Sequence, residues 1–226
     1  ATIGVGSSGS VTFNDLIDVA AASLNIDATG DIVFNKGLTA ADTLTYDGVV
    51  YSVYEDSEHT TYFKNGSNYY TFDASNYYTS GDCMTPATPS GAVTPVTGST
   101  VDLTSVTGGL SIAKGDGDYK LTAQNTALDI SVNGNILIDT LLVNGQDASI
   151  ASTTGGVTGE SWSVTDADAT VTAGGSVSVD TLSFTNSDST ITASGAIAGD
   201  NWSATNTALS MTAGQDIALS GSLTVN

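Results

Sequence analysis

Along most of the chain, apolar and polar residues alternate in short bursts, and the bursts recur. Trp162, Leu182 and Trp202 stand 20 residues apart, and similar text follows each: WSVTDADATVTAGGSVSVDT, LSFTNSDSTITASGAIAGDN and WSATNTALSMTAGQDIALSGS. Earlier copies begin at Leu121 and, with one extra residue, at Leu141, and a degenerate copy begins at Val101. Counting from these residues, position 10 holds Leu110, Ile130, Ile150, Val171, Ile191 and Met211, and position 16 holds Ile136, Val157, Val177, Ile197 and Ile217. Position 18 gives Ile138, Val179 and Leu219, with Gly159 and Gly199 as small substitutes. Position 12 runs Ile112, Val132, Ser152, Ala173, Ala193, Ala213, and position 3 runs Leu103, Ala123, Val143, Val164, Phe184, Ala204. Period-two alternation marks strands, and like residues every 20 positions mark a repeat. Together they predict an all-β fold, a parallel β-solenoid (β-helix) with three short strands in each coil of about 20 residues. An antiparallel sandwich also has many short strands but does not require equivalent residues at that interval.

The pattern divides the chain into three. Residues 101–226 are the solenoid repeats. In residues 1–37, Leu24, Ile26, Ile32 and Phe34 fit positions 10, 12, 16 and 18, Val11 and Phe13 supply positions 1 and 3, and Asn14 to Ala22 is a bulge or short helix. Residues 38–100 break the pattern: eight of the nine tyrosines fall between Tyr46 and Tyr78. Asp47-Gly48 and Asn65-Gly66 each separate two β-prone runs, which predicts hairpins and an inserted antiparallel meander. A linker rich in Pro, Thr, Ser and Gly (Met84 to Thr100) leads back to the rod.

Charge narrows the function classes. Four Lys and Arg against 24 Asp and Glu give a formal net charge of −20, although only 12% of residues are charged. With Lys36, Lys64, Lys114 and Lys120 as the whole basic inventory, no patch exists to neutralise nucleic-acid phosphates or an anionic membrane surface. No apolar run approaches the roughly 20 residues that span a bilayer, so membrane insertion is not expected. The opening Ala1 to Ser10 is small, polar and free of an initiator Met, as a chain trimmed by signal-peptide removal would be. Cys83, the one cysteine, permits no intrachain disulfide. Asn-x-Ser sequons occur at Asn65 and Asn201.

At the repeats, TAGQDIALSGSLTV (Thr212 to Val225), TAGGSVSVDTLSF (Thr172 to Phe184) and TASGAIAGDNWSA (Thr192 to Ala204) resemble the haemagglutinin-type repeats of filamentous-haemagglutinin-like secreted exoproteins. The resemblance covers residues 101–226. It implies a right-handed parallel β-helix exported to the cell surface and used for adhesion or as a spacer.

The inventory for catalysis is thin. His59, the only histidine, lies in the acidic run Glu55-Asp56-Ser57-Glu58-His59, and a Cys83/His59 pair is outweighed by a solvated loop. A polysaccharide-cleaving β-helix would need acids clustered on a strand face, whereas these repeats place them at turns; no catalytic residue is assigned. Asp139, Glu160, Asp180 and Asp200 recur at position 19, with Asp118 one position off. Stacked carboxylates about 5 Å apart would repel unless Ca²⁺, salt or splaying relieved them. Asp116 and Asp118 weakly resemble a Ca²⁺ loop. Asn125, Asp166, Asn186 and Asn206 at position 5 suggest a ladder of side-chain hydrogen bonds. Outward Thr170, Thr172, Thr190, Thr192 and Thr212 offer an ice-binding reading that Asp129 and Ala151 interrupt. Tyr51, Tyr54, Tyr62, Tyr69 and Tyr70 are candidates for stacking glycan rings. The last coil stops at Val225-Asn226 with no cap, and Thr2 to Val5 is strand-like. Ile3 and Val5 of one copy docking on Leu223 and Val225 of another would give a homo-oligomer growing head to tail. The expectation is a non-enzymatic extracellular filament or matrix subunit, with a glycan-binding adhesin as the alternative.

Overall fold

A computed structural model describes residues 2–20, 22–46, 49–57, 60–72, 84–95, 99–112 and 120–226. Asp116, Asp118, His59 and Cys83 lie outside the described residues. Among the described residues there is no helix. The chain is a parallel β-solenoid with three strand faces. The first face is an eight-stranded sheet of Thr2–Ser7, Ser23–Ala28, Ser99–Ser105, Thr126–Val132, Ala148–Ser152, Ala169–Ala173, Ser189–Ala193 and Leu209–Ala213. The second face starts with Val11–Phe13, Ile32–Phe34, Leu110–Ile112 and Ile136–Ile138, the third with Ile17–Ala20, Leu38–Ala41, Lys120–Gln124 and Thr140–Asn144. From Val157 onward the two merge at their shared corner into continuous strands, Val157–Thr165, Val177–Thr185 and Ile197–Thr205. They part again at Ile217–Leu219 and Leu223–Val225. Eight rungs at about 4.8 Å make a rod roughly 35 Å long.

Pairing register corrects the phase of the early copies. Val101 and Leu103 pair with Leu128 and Ile130, so they hold positions 8 and 10, not 1 and 3. Leu110 and Ile112 pair with Ile136 and Ile138, which moves them from positions 10 and 12 to 16 and 18. Leu24 and Ile26 pair with Val101 and Leu103 and shift likewise to 8 and 10. Val11 and Phe13 pair with Ile32 and Phe34, so they belong to a coil of their own. Ile17–Ala20, expected as bulge or helix, is that coil's third strand, paired with Leu38–Ala41. Two coils therefore precede the insertion. The cause of the misreading is a corner: Val106 to Gly109 puts four residues between the first and second faces, where the Leu121 copy has three, Asn133 to Asn135.

Stacking like on like makes one dry core. Ile26, Leu103 and Ile130 at position 10 and Ile32, Ile136 and Val157 at position 16 are all within 1% of full burial. Each such side chain contributes on the order of 1.5–3 kcal/mol of transfer free energy. Where the second face meets the third, residue sizes compensate. Trp162 and Trp202 at position 1 are buried, and each indole N–H donates to the position-18 carbonyl of the coil before, Ile138 at 2.7 Å and Val179 at 2.8 Å. Position 18 beside each tryptophan is glycine, because a Cβ at Gly159 or Gly199 would stand 2.1 or 2.2 Å from the indole nitrogen. The intervening coil carries Leu182 and has room for Val179.

The insertion leaves the rod after Ala41 and rejoins at Ser99 without disturbing the ladder, since Leu38 still pairs with Leu121 and Leu24 with Val101. It forms an antiparallel sheet. Thr43–Tyr46 and Thr94–Pro95 flank Val49–Glu55, followed in order by Thr61–Asn65, Asn68–Phe72 and Met84–Ala87. Asn65 pairs with Asn68, so Gly66 and Ser67 are the turn. Gly66 has a φ of 58°, the left-handed conformation that glycine adopts freely at the first central position of a hairpin turn. The Asp47-Gly48 turn lies outside the described residues, but the strands either side of it pair as a hairpin.

Candidate functional site

The repeated corners hold the chain's polar chemistry. Position 5 is a left-handed corner: Asn125, Asp166, Asn186 and Asn206 have φ of 51–52°, and Gly145 has 82°. Asn and Asp tolerate this region better than other L-residues, which explains the column read from sequence. Asn186 Nδ2 donates to Asp166 Oδ1 at 2.8 Å and Asn206 Nδ2 to Asn186 Oδ1 at 3.2 Å. The carboxylate of Asp166 thus receives a chain of amides running back from the later coils. Gly145 interrupts the column, and a Cβ there would fall 2.4 Å from Asn125 Oδ1.

A second relay, at position 7, escaped the sequence reading. The amides of Asp168, Asp188 and Ala208 donate to Oδ1 of Asp147, Asp168 and Asp188 at 3.0, 2.8 and 3.0 Å. The signal was there, as Asp recurring in three successive coils. At the corner between the first and second faces the same device recurs, with Asp31 Oδ1 accepting from Gly109 N, Asn135 Oδ1 from Gly156 N and Ser176 Oγ from Ala196 N. Asp31, Asp147, Asp168 and Asp188 therefore cap backbone N–H groups of the next coil. Such charge-assisted bonds draw their donors from the fold itself.

Position 19 is different. Register sets Glu160 beside Asp180 and Asp180 beside Asp200. Glu160 and Asp180 are exposed, Asp139 and Asp200 half-buried. Asp200 Oδ1 accepts from Ser220 Oγ at 3.0 Å and Oδ2 from Asn201 Nδ2 at 2.7 Å. Asp180 and Asp200 border a shallow cleft of about 390 Å³ together with Ser178 and Ser220. Among the described residues no three His, Cys, Asp or Glu side chains converge as a metal-binding group. The ladder is a line of carboxylates along a corner rather than a cage.

The tyrosines are divided. Alternation puts Tyr51, Val53, Phe63, Tyr70, Phe72 and Met84 on one side of the inserted sheet, and Tyr54, Tyr62, Lys64 and Tyr69 on the other. Tyr51 and Tyr62 are buried, and the Tyr62 hydroxyl donates to Asp56 Oδ2 at 3.1 Å. Tyr69 meets Tyr54 and Tyr62 edge-on, Tyr51 meets Tyr70 likewise, and Lys64 Nζ stands 5.1 and 5.3 Å from the Tyr54 and Tyr69 ring centroids. These contacts lock the sheet together. The five rings form no single stacking platform. Tyr69 and Tyr70 also line an open cleft of about 640 Å³ with Asn68, Pro86 and Pro89.

On the first face Thr170, Thr190 and Ser210 align in one outward column and Thr172, Thr192 and Thr212 in another. Asp129 and Ser149 continue the first column and Ser131 and Ala151 the second, so hydroxyls do not persist along the rod. At the two ends Ile3 is 47% exposed, Leu223 46% and Val225 62%, and Val5 is half-buried. Thr2–Ser7 pairs within its own chain, with Ser23–Ala28. Compared with family models, curated proteins and solved structures, the chain matches none.

Proposed function

We propose that the protein is a structural rod of a cell surface or extracellular matrix, without catalytic activity, that carries the Tyr-rich sheet as a lateral module and extends by stacking coil on coil, head to tail. The observation that carries this reading is the one-way repetition of the corners. Most coils offer the next one a carboxylate, amide or hydroxyl acceptor at a corner, and all stack one apolar row on another. The outermost rungs leave Ile3 at one end and Leu223 and Val225 at the other partly exposed. A further coil, from the same polypeptide or from another copy, meets there the chemistry already used between the coils within. The contact is heterologous and does not close, so it propagates.

Sedimentation velocity and negative-stain microscopy test the assembly. Rods in multiples of the single-chain length, lost when Leu223 and Val225 are both replaced by Lys, are the expected outcome. A chain that stays monodisperse across two decades of concentration would remove the assembly reading. A second reading, glycan binding by the module, is favoured by the cleft of Tyr69 and Tyr70. It rests on those two rings, since Tyr51 and Tyr62 are buried and Tyr54 does not line that cleft. A glycan array compared with Tyr69→Ala decides it.

A further inference from the structure

Asp42 sits where the rod lets the chain go. It follows Ala41, the last residue of a third-face strand, and precedes Thr43, the first residue of the module. Its amide donates to the Gln124 carbonyl of the next coil at 3.2 Å, and its carbonyl accepts from the Val53 amide of the module at 3.4 Å. The chain returns at Ser99, buried and paired with the buried Thr126. Exit, return and both bodies therefore meet at one residue.

Its side chain is out of keeping with every other acid described above. Asp42 is 4% exposed, and neither carboxyl oxygen makes a hydrogen bond of good geometry. An ionised carboxylate in that position has given up water with only the Ser99 hydroxyl and amide to replace it. Burial pushes its carboxyl above the usual carboxylate range, and the Ser99 hydroxyl and amide offset this only in part. The surrounding strands carry Tyr46, Tyr51, Tyr54 and Glu55 on the module, Asp102 and Asp129 on the first face and Lys120 on the third. None of these is among the groups that shift the Asp42 carboxyl.

We propose that Asp42 is a proton-operated catch between rod and module. Neutral, its carboxyl O–H donates to the Ser99 hydroxyl and pins exit to return. Ionised, the carboxylate draws water into the junction, and the module gains freedom to swing on the rod. The idea rests on the rod-and-module architecture alone and holds whether or not rods assemble. The sign follows from linkage. A folded carboxyl that keeps its proton to higher pH than the unfolded one makes the junction weaken as pH rises through the interval between the two values. Acidification tightens it, the reverse of what salt-bridged carboxylates do.

Hydrogen exchange of the full chain, corrected for intrinsic rates, reads this directly in steps from about pH 8 down to about pH 4, near the value of an unfolded aspartate. Amides of Thr43–Tyr46 and Ser99–Ser105 should gain protection on acidification, on the order of tenfold for each pH unit inside the interval. Those of Ser189–Ala193, deep in the rod, should not respond. Asp42→Asn should hold the junction at the protected level at every step. A flat wild-type profile, or an Asp42→Asn profile with the wild-type response, overturns the catch. Should Asp42→Asn fail to fold, Ser99→Ala supplies the second readout. It removes the acceptor, so low-pH protection should drop to the high-pH value, and an unchanged Ser99→Ala profile is equally fatal.

Discussion

The rod and its inserted module are built from one chain on opposite plans. In the rod each strand pairs with its equivalents in the neighbouring coils, 20 to 27 positions away except across the insertion, and the polar side chains at its corners act across coils: Asp188 caps Ala208, Asn206 reaches Asn186. In the module, pairing is local, hairpin by hairpin, and Tyr54, Tyr62 and Tyr69 interlock edge to edge around Lys64. The rod spends small residues on repetition, and the module spends large ones on a single packing solution. A rod coil is stable because its neighbours are like it, whereas the module depends on its own rings.

The sharpest way to break the contrast is at the size-matched corner. Gly199→Val should cost several kcal/mol, because a β-carbon there meets the Trp202 indole. Adding Trp202→Leu should recover the part of that loss due to the indole, as Val179 and Leu182 fit together one coil earlier, and leave the part due to the Val179 carbonyl, 2.5 Å from the new carbon. Thermal unfolding of both variants measures it, and a double variant no better than Gly199→Val alone would refute the pairing. Next comes Asn186→Ala, which puts a poorly tolerated residue at a φ of 52° and removes bonds to both neighbours. A loss of about 1–2 kcal/mol is expected. Asn186→Gly should lose less, as the backbone strain is gone. The smallest effect is on the module. Lys64→Ala removes an ammonium from two ring faces, worth about 0.5–1 kcal/mol at a partly exposed site. It should shift the module's exchange protection and leave the rod unchanged.

How far the fold was legible follows from the same contrast. The 20-residue interval is sufficient for a solenoid because stacking demands it, and Asn65-Gly66 marked a hairpin, although the turn itself is Gly66-Ser67, one residue on, with Asn65 paired in the strand. Phase was not legible at Val101, where Val101 to Leu110 spans nine residues, the same interval as position 1 to position 10. Only pairing partners could show that a four-residue corner supplied the extra residue. The position-5 column was visible as Asn and Asp, and its left-handed backbone explains the choice. Asp42 was not legible at all, since nothing local distinguishes a buried aspartate from those that cap amides. The tyrosines are a different case. Their clustering in sequence is real, but strand alternation sends neighbours to opposite sides.

The uninterrupted pairing of Leu38 with Leu121 has a consequence for how such a chain can change. The stack reads its coils by shape and ignores how much polypeptide passes between them. A corner is then a port through which a whole folded unit can be threaded out and back, with no frame shift in the architecture on either side. The same port, at any later coil, would let a foreign domain ride on the rod at a height chosen in steps of one coil.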